Sequence, residues 1–339
     1  MYLEIFTIYL IIELFAYVVL NSAKFKNRYE YIKRYLSFNS NNRYVVDNYS
    51  FFWNNKNYIF NSIMVFNEHG YRSEKILKKK KKILILGDST SESIPYIKNN
   101  KDIWAMKLQE LLKKRKKNYQ ILNASLNCGT SNELLSHLFF KARYFKPEII
   151  IFFAGINDLY PILDRKFEPD YSHSKYYNKF YIRNYEKYYI KFSFLAKLIF
   201  LFLTKKKSFS FFNIYNFNEN NININTSEKK IKKNKFYILK NNLRLLKIFC
   251  EKNNINLVLV PPCVNKTNSK KLRLNRLFVL SDKYITQIFE KYKSHKCYYL
   301  NINKIKNNSN FYLDFLHFNK NGHEKFSKEI YRLLYKIIS

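Results

Sequence analysis

Cysteine is scarce in this chain, and its placement argues against a zinc site built on paired cysteines. The four cysteines, Cys128, Cys250, Cys263 and Cys297, are scattered, with no Cys-x-x-Cys pair and no His/Cys cluster. Cys250 falls in a helical pattern and Cys297 in a strand pattern, so we expect buried thiols. No metal and no cofactor is predicted.

Acidic residues are also few, 25 against 61 Lys and Arg, which gives a formal net charge of +36. Such a charge is typical of nucleic-acid-binding proteins. The lysines, however, are spread along the whole chain, and the densest run, Lys75 to Lys82, directly precedes a strand pattern. This distribution indicates compositional bias rather than a binding face. It disfavours nucleic acid and leaves attraction to anionic lipid or acidic glycan as the better electrostatic hypothesis.

A basic leader and a small-residue cleavage site are lacking near the amino terminus, which disfavours a cleaved signal peptide. Instead Tyr2 to Leu20 is almost continuously apolar, and Glu4 and Glu13 interrupt it. Its length suits a bilayer span, and Glu13 near the centre costs about 2–3 kcal/mol. We therefore predict that residues 1–22 form a single-pass membrane anchor. A helix packed on the rest of the protein is the alternative.

The middle and end of the chain alternate between strand and helix patterns. Strands are predicted at 83–86, 119–124, 148–154, 255–260 and 297–302, with amphipathic helices between them. This alternation predicts an α/β fold with three layers, in which a parallel sheet carries helices on both faces. Residues 83–339 form the predicted catalytic domain, with residues 23–82 as a linker or wrapping segment. An insertion at about 164–234 holds an apolar piece, 192–203, and an Asn-rich run, 213–225, that predicts a loop.

Four polar islands stand in one order along this pattern. They are Gly87-Asp88-Ser89, the stretch from Asn123 to Glu133, Gly155-Ile156-Asn157-Asp158, and Asp314-Phe-Leu-His317. The first and third directly follow apolar runs, so they lie where buried parallel strands end, the edge at which open α/β sheets place their sites. Ser89 is the candidate nucleophile, His317 its general base, and Asp314 the group that orients the imidazole.

A tetrahedral intermediate of acyl transfer also needs donors for its negative oxygen. We assign this role to the Ser89 N–H, the Asn157 side-chain amide, and the N–H of either Cys128 or Gly129. Asp88, Gly155 and Asp158 are predicted to support the site rather than to do chemistry. Cys128 as the nucleophile is a weaker hypothesis, since Ser89 already claims His317.

These islands resemble the motifs of the SGNH (GDSL-type) hydrolase superfamily, over residues 66 to 339 with a gap near the middle. The matching pieces are Gly-Asp-Ser-Thr, Ala-Gly-Ile-Asn-Asp and Leu-Asp-Phe-Leu-His-Phe-Asn-Lys-Asn-Gly-His. The resemblance implies five parallel strands in flavodoxin-like order and an oxyanion hole at the second block. That block departs from the family pattern, because Cys128 takes the usual Gly position unless a one-residue shift uses Gly129.

The lead-in from Asn67 to Arg72 resembles a bacterial branch of the family that is often tied to surface polysaccharides. Such relatives face outward, whereas the basic residues after the apolar segment predict a cytoplasmic domain by the positive-inside rule, so sidedness stays open. The function predicted is a serine esterase acting on small acyl esters, with a carbohydrate ester as one candidate. An O-acyltransferase that uses the same acyl-enzyme and an inactive scaffold that keeps the fold are the alternatives.

Overall fold

A computed structural model describes residues 2–21, 43–53, 56–93, 97, 99–163, 167, 169, 171, 193–196, 198–199, 223–265 and 273–339. The chain divides into two compact units. One unit holds the amino-terminal helix and the described residues between 193 and 199. The other holds the β-sheets and all the residues of the predicted site.

The described elements follow one another in an order dominated by β/α alternation. They are α1 (Tyr2–Asn21), β1 (Arg43–Trp53), β2 (Lys56–Val65), β3 (Lys81–Gly87), α2 (Ser89–Glu92), α3 (Trp104–Lys114), β4 (Tyr119–Asn123), α4 (Ser131–Phe140), β5 (Ile149–Phe153), α5 (Leu159–Leu163), α6 (Ile224–Asn234), α7 (Tyr237–Lys252), β6 (Asn256–Val260), α8 (Arg273–Lys291), β7 (Cys297–Tyr299), α9 (Asn303–Lys306) and α10 (Lys320–Ile338). Short 3-10 turns cover Asn100–Asp102, Ala142–Phe145, Ile156–Asp158 and Ser309–Phe311.

The central sheet has five strands in the order β4-β3-β5-β6-β7, and every neighbouring pair is parallel. This is the flavodoxin-like order that the resemblance implied, and it is confirmed. Within β3, Ile83 pairs with Ile121 of β4 on one side and with Ile149 of β5 on the other. All three strands read as apolar runs because a parallel sheet is buried on both faces.

Helices cover both faces of the sheet, as the three-layer prediction required. On one face α3 and α10 pack together, and Trp104, Phe153 and Phe326 meet in the core, with Trp104 and Phe326 ring centroids 4.9 Å apart. On the other face, Phe152 of β5 meets Phe289 of α8 at 6.0 Å. Successive side chains of β5 therefore point into opposite layers, the period-two alternation of a strand.

The carboxyl ends of β3 and β5 lie side by side, with Gly87 paired with Phe153. A side chain at Gly87 would not fit, since a Cβ would lie 2.9 Å from the Phe153 carbonyl oxygen and closer still to Ser91. Glycine is therefore required for the chain to leave β3 and turn at once into α2. This close turn brings Ser89 over the edge of the sheet.

The segment predicted as a linker or wrapping piece contains an antiparallel hairpin of β1 and β2. Asn100 ties the end of the hairpin to the turn before α3. Its side-chain amide donates to the Val65 carbonyl at 2.8 Å, and its Oδ1 accepts from the Val65 N–H at 3.3 Å. Residues 23–42 of that prediction lie outside the described residues.

The predicted membrane anchor at residues 1–22 is wrong, and with it the membrane location, while the predicted membrane partner has no support. The helix α1 forms as expected, but in the part of the chain that the structure describes no helix is long and apolar enough to cross a bilayer. Two carboxylates, Glu4 and Glu13, interrupt its apolar run. Glu13 accepts hydrogen bonds from Tyr9 Oη at 2.9 Å, from Ser193 Oγ, and from the Phe194 N–H at 2.6 Å. Partial burial alone would raise the pKa of Glu13, but these hydrogen bonds lower it, which favours an ionised carboxylate in mid-helix.

Much of the predicted insertion at 164–234 lies outside the described residues, including half of 192–203 and most of the Asn-rich run. The end of that run is helical rather than a loop. Asn223 caps α6, with Oδ1 accepting from the Thr226 N–H at 3.1 Å.

Candidate active site

The first island forms a tight turn between β3 and α2, and Asp88 closes it. The buried Asp88 carboxylate caps α2 by accepting from the Thr90 N–H at 3.0 Å and from Thr90 Oγ1 at 2.6 Å. Burial raises the pKa of Asp88, although the Thr90 hydrogen bonds oppose that shift. Both hydrogen bonds come from Thr90, the residue after Ser89, one from its backbone and one from its side chain, so Asp88 fixes the turn.

Ser89, His317 and Asp314 form one continuous chain of hydrogen bonds. Ser89 Oγ lies 2.9 Å from His317 Nε2, although the two residues are 228 positions apart in the sequence. The other ring nitrogen, Nδ1, lies 2.7 Å from Asp314 Oδ2. His317 and Asp314 are buried, while Ser89 is half-buried. A hydroxyl, an imidazole and a carboxylate in this order form an arrangement that can activate the hydroxyl as a nucleophile.

The loop that carries His317 is fixed largely by Asp314. Its Oδ1 accepts from the backbone N–H groups of Leu316 and His317, each at 2.7 Å, while Oδ2 holds the ring. The loop also closes on itself, since the Leu313 N–H donates to the His317 carbonyl at 2.8 Å. Phe278 of α8 also packs against Phe315 in this loop, with ring centroids 4.6 Å apart. The imidazole therefore has little freedom to rotate away from Ser89.

The charge on Asp314 sets the protonation of His317. Burial by itself would lower the pKa of His317, yet the Asp314 carboxylate outweighs it, and the pKa lies above its ordinary value of about 6.5. Asp88 adds to the rise through its own negative charge. A buried imidazole with a raised pKa is a strong base, which suits proton abstraction from a hydroxyl.

The second island forms a loop after β4 that carries both Cys128 and Gly129. The Gly129 N–H donates to the Leu126 carbonyl at 2.9 Å, so it is engaged within the loop. Cys128 has a φ of +54°, in the left-handed region that glycine enters without cost. The structure thus gives Cys128 the backbone conformation that a glycine at this family position would adopt most easily.

The third island lies after β5 and presents Asn157 to the same edge. Gly155 has a φ of +113°, which only glycine tolerates well, and it starts the 3-10 turn. The buried Asn157 amide donates to the Gly129 carbonyl at 3.2 Å. That bond uses one of the two N–H groups of the amide and ties the third island to the second.

Asp158 links the third island to neighbouring segments through its carboxylate. Its carboxylate accepts from the Ser131 N–H at 3.0 Å, from Ser131 Oγ, and from Tyr171 Oη at 3.1 Å. Ser131 is the first residue of α4, so the third island is fastened to the helix that follows the second. Asp158 therefore ties the third island to the start of α4.

Two buried residues near the nucleophile were missed as site residues by the sequence analysis. Glu92, at the end of α2, accepts from the Asn127 N–H at 2.6 Å. Arg72 donates from Nη1 to the carbonyls of Glu92 and Ser93, the latter at 2.7 Å. For Glu92, the signal in the sequence was a charged residue only three positions after the candidate nucleophile, in a segment that follows a buried strand.

The remaining histidines and cysteines lie apart from this hydrogen-bonded chain. Burial lowers the pKa of His137 and of His323 to about 3, so both are neutral core residues. His69 and His295 are more exposed, and His173 lies outside the described residues. The buried Cys250, Cys263 and Cys297 carry thiols, and burial raises the pKa of each.

No family model matches the chain, and no curated protein sequence matches it. Solved structures similar to it include a lipase/acylhydrolase from Enterococcus faecalis, at 15% identity and a TM-score of 0.45, covering 76% of this chain and 97% of that one. The esterase EstA from Pseudoalteromonas sp. is 16% identical with a TM-score of 0.42, covering 76% and 98%. An acetylxylan esterase from Geobacillus stearothermophilus is 14% identical with a TM-score of 0.42, covering 76% and 95%.

These low scores add no argument of their own about activity. The five-stranded order β4-β3-β5-β6-β7, which the resemblance to SGNH hydrolases implied, is what the structure confirms.

Proposed function

We propose that this chain is a serine ester hydrolase that acts on small acyl esters, with Ser89, His317 and Asp314 as its catalytic residues. The observation that carries the proposal is the hydrogen-bonded chain from Ser89 Oγ through the imidazole to the Asp314 carboxylate, at 2.9 and 2.7 Å. The raised pKa of His317 supports its role as the base.

In the first half of the reaction, His317 Nε2 takes the hydroxyl proton as Ser89 Oγ attacks the ester carbonyl carbon. The tetrahedral intermediate collapses to an acyl-serine, and the alcohol leaves with the proton that His317 returns to it. In the second half, water gives a proton to His317 and attacks the acyl-serine. The second tetrahedral intermediate then collapses, Ser89 Oγ leaves and takes the proton back from His317, and the carboxylic acid is released. Asp314 stabilises the imidazolium that forms in each half and holds the ring in the reactive tautomer.

The negative oxygen of the intermediate is stabilised by three donors in this proposal, the N–H groups of Ser89 and Cys128 and the side-chain amide of Asn157. We choose Cys128 over Gly129 because the Gly129 N–H already donates to Leu126. The Asn157 amide is held by the Gly129 carbonyl, so its orientation is set before the substrate arrives. Asp88, Gly155 and Asp158 hold these groups in place.

A short-chain aryl ester, such as p-nitrophenyl acetate, tests the proposal directly. Ser89→Ala and His317→Ala should each abolish turnover by purified protein while leaving the fold intact. Because the two residues act as a unit, the double variant should be barely slower than either single variant. Substantial turnover by folded Ser89→Ala protein would contradict the serine mechanism and would favour Cys128 as the nucleophile.

A further inference from the structure

Glu92 is a buried carboxylate that the proposed reaction does not use. It ends the four-residue helix that starts at Ser89, and its side chain has no exposed surface. Its Oε2 accepts from the backbone N–H of Asn127 at 2.6 Å. Burying a carboxylate is costly unless it forms strong hydrogen bonds. The hydrogen bond from Asn127, in the loop that carries Cys128, offsets part of this cost.

That loop is held on both sides of Cys128. On one side the Asn127 N–H is bound by Glu92, and on the other the Gly129 N–H is bound by the Leu126 carbonyl at 2.9 Å. The start of the loop is also fixed, since the Leu126 N–H donates to the Gly87 carbonyl at 2.9 Å. The peptide N–H of Cys128 lies between these bonds, so its direction depends on them.

The backbone of Glu92 is itself anchored by Arg72. The fully buried guanidinium donates to the carbonyls of Glu92 and Ser93, and its Nε donates to Asn100 Oδ1 at 2.9 Å. The Arg72 N–H donates to the Asn123 carbonyl at 3.1 Å, where β4 ends and the loop begins. The Glu92 carboxylate thus joins α2, which begins at Ser89, to the loop of Cys128, and Arg72 holds the backbone from which that carboxylate extends.

From this geometry we infer that Glu92 is a positioning residue for the oxyanion hole, which directs the Cys128 N–H by binding the preceding backbone N–H. The inference rests on the proposed function, because it names a role within that same site. A carboxylate suits the task, since a hydrogen bond to an ionised acceptor is about twice as strong as one between neutral groups. Donors aimed in advance at the developing charge are the form of stabilisation that acts mainly on the transition state.

The test compares Glu92→Ala and Glu92→Gln with the wild type on p-nitrophenyl acetate. Removing an oxyanion donor outright costs about 10²–10³ in kcat, so a donor that is merely misdirected should cost about 10- to 100-fold in Glu92→Ala. KM should stay within about threefold of the wild-type value, because ground-state binding does not need the oxyanion. Glu92→Gln keeps an acceptor of the same size without the charge, and it should recover most of the lost kcat.

A boronic acid, which forms a tetrahedral adduct on an active serine, gives a second readout. Its affinity should fall in Glu92→Ala by about the same factor as kcat/KM, because both depend on the oxyanion donors.

Gln109→Ala is the matched control. Gln109 is also a buried side chain whose oxygen accepts from a backbone N–H, that of Ile121 within β4, at 2.7 Å. It should lose thermal stability without a comparable loss of kcat. The inference is overturned if Glu92→Ala loses no more kcat than Gln109→Ala, or if only its KM changes. If Glu92→Ala does not fold, Glu92→Met, which has a similar length and no oxygen acceptor, takes its place, and unchanged kcat and boronic acid affinity in Glu92→Met overturn the inference.

The proposed function fails separately. An active wild type with unaffected Glu92 variants removes only the positioning role, whereas a folded wild type that neither hydrolyses the ester nor binds the boronic acid removes both.

Discussion

At the scale of single residues, Cys128 combines a strained backbone with a position at the rim of the site. A non-glycine residue in the left-handed region costs about 1–2 kcal/mol, whereas glycine loses about 0.5–1 kcal/mol through the greater freedom of its unfolded chain. Cys128→Gly should therefore be neutral or stabilise the protein by up to about 1 kcal/mol, measured by urea unfolding. Ester turnover should be kept or improved, since only the backbone N–H is needed.

Complete loss of turnover in folded Cys128→Gly protein would show that the thiol itself takes part. Cys250→Ala, at a buried position of α7, is the control for replacing a cysteine away from the site.

The pH dependence of turnover follows from the raised pKa of His317. The imidazole must be neutral to accept the Ser89 proton, so kcat/KM should rise with pH through an apparent pKa above 6.5 and then level off. Asp314→Asn removes the charge that raises this pKa. The rise should therefore move to lower pH, and the plateau should fall by about 10⁴-fold because the tautomer is no longer fixed.

The measurement is kcat/KM from pH 5 to 9 for both proteins. A midpoint that stays in place in Asp314→Asn would contradict the assignment of Asp314 as the partner that sets the pKa of His317.

Ser89, Asn157, Asp314 and His317 could be proposed from sequence because each stands in a short motif at a predicted strand end or beside the last helix. The choice between Cys128 and Gly129 could not, since it depends on a φ angle and on the Gly129 hydrogen bond to Leu126. Glu92 carried no motif signal that distinguishes a buried acceptor from a solvated one. Side-chain chemistry was therefore predictable where backbone geometry was not.

At the scale of elements, two buried histidines hold helices in place. His323 of α10 accepts from the Trp104 N–H at the start of α3 at 3.1 Å, and His137 of α4 bonds Tyr71 Oη at 3.0 Å. Burial lowers the pKa of each to about 3, against about 6.5 in the unfolded chain. Below pH 6.5 the unfolded state therefore binds protons that the folded state does not, and stability falls as pH falls.

As the pH falls from about 6.5 to 5, each of these histidines should lower the free energy of unfolding by about 1 kcal/mol per pH unit. His317 acts in the opposite sense, because its folded-state pKa is raised: the stability it contributes is present below the unfolded-state pKa of about 6.5 and is lost as the pH rises through the folded-state pKa. Urea unfolding of His323→Gln should show a shallower loss of stability than the wild type. His295→Gln, at an exposed position, is the control and should leave the slope unchanged. An unchanged slope in His323→Gln would contradict the account.

The existence and order of the five central strands could be predicted, because buried parallel strands read as short apolar runs between helical patterns. Their ends could not, and the last strand stops at Tyr299 rather than at 302. The hairpin of β1 and β2 was missed because its segment was interpreted as a linker, although its strands are long.

At the scale of the whole molecule, the site lies in one unit and α1 in the other. Removing residues 1–21 deletes α1 and no residue of the proposed reaction. The truncated protein should keep kcat/KM for p-nitrophenyl acetate within about threefold of the full-length value, since the sheet that holds the site is complete without it. A folded but inactive truncated protein would show that α1 contributes to the site.

The membrane prediction failed at this same scale. Length and apolar composition were taken to outweigh the cost of Glu4 and Glu13. In the structure, however, Glu13 has hydrogen-bonding partners 180 residues or more along the chain, at Ser193 and Phe194. Contacts so distant in sequence leave no local pattern. The net charge of +36 likewise did not help to locate the candidate site, which consists of a hydroxyl, an imidazole, and a few carboxylates and amides.

The most direct test of the central claim is labelling of the purified full-length protein with a fluorophosphonate probe, followed by mass spectrometry of the modified peptide. An activated serine attacks the phosphorus and keeps the phosphonyl group, while an ordinary serine does not react. The account predicts one modified residue, Ser89, with labelling lost in His317→Ala. Folded protein that stays unlabelled, or that is labelled elsewhere and equally in Ser89→Ala, would contradict it.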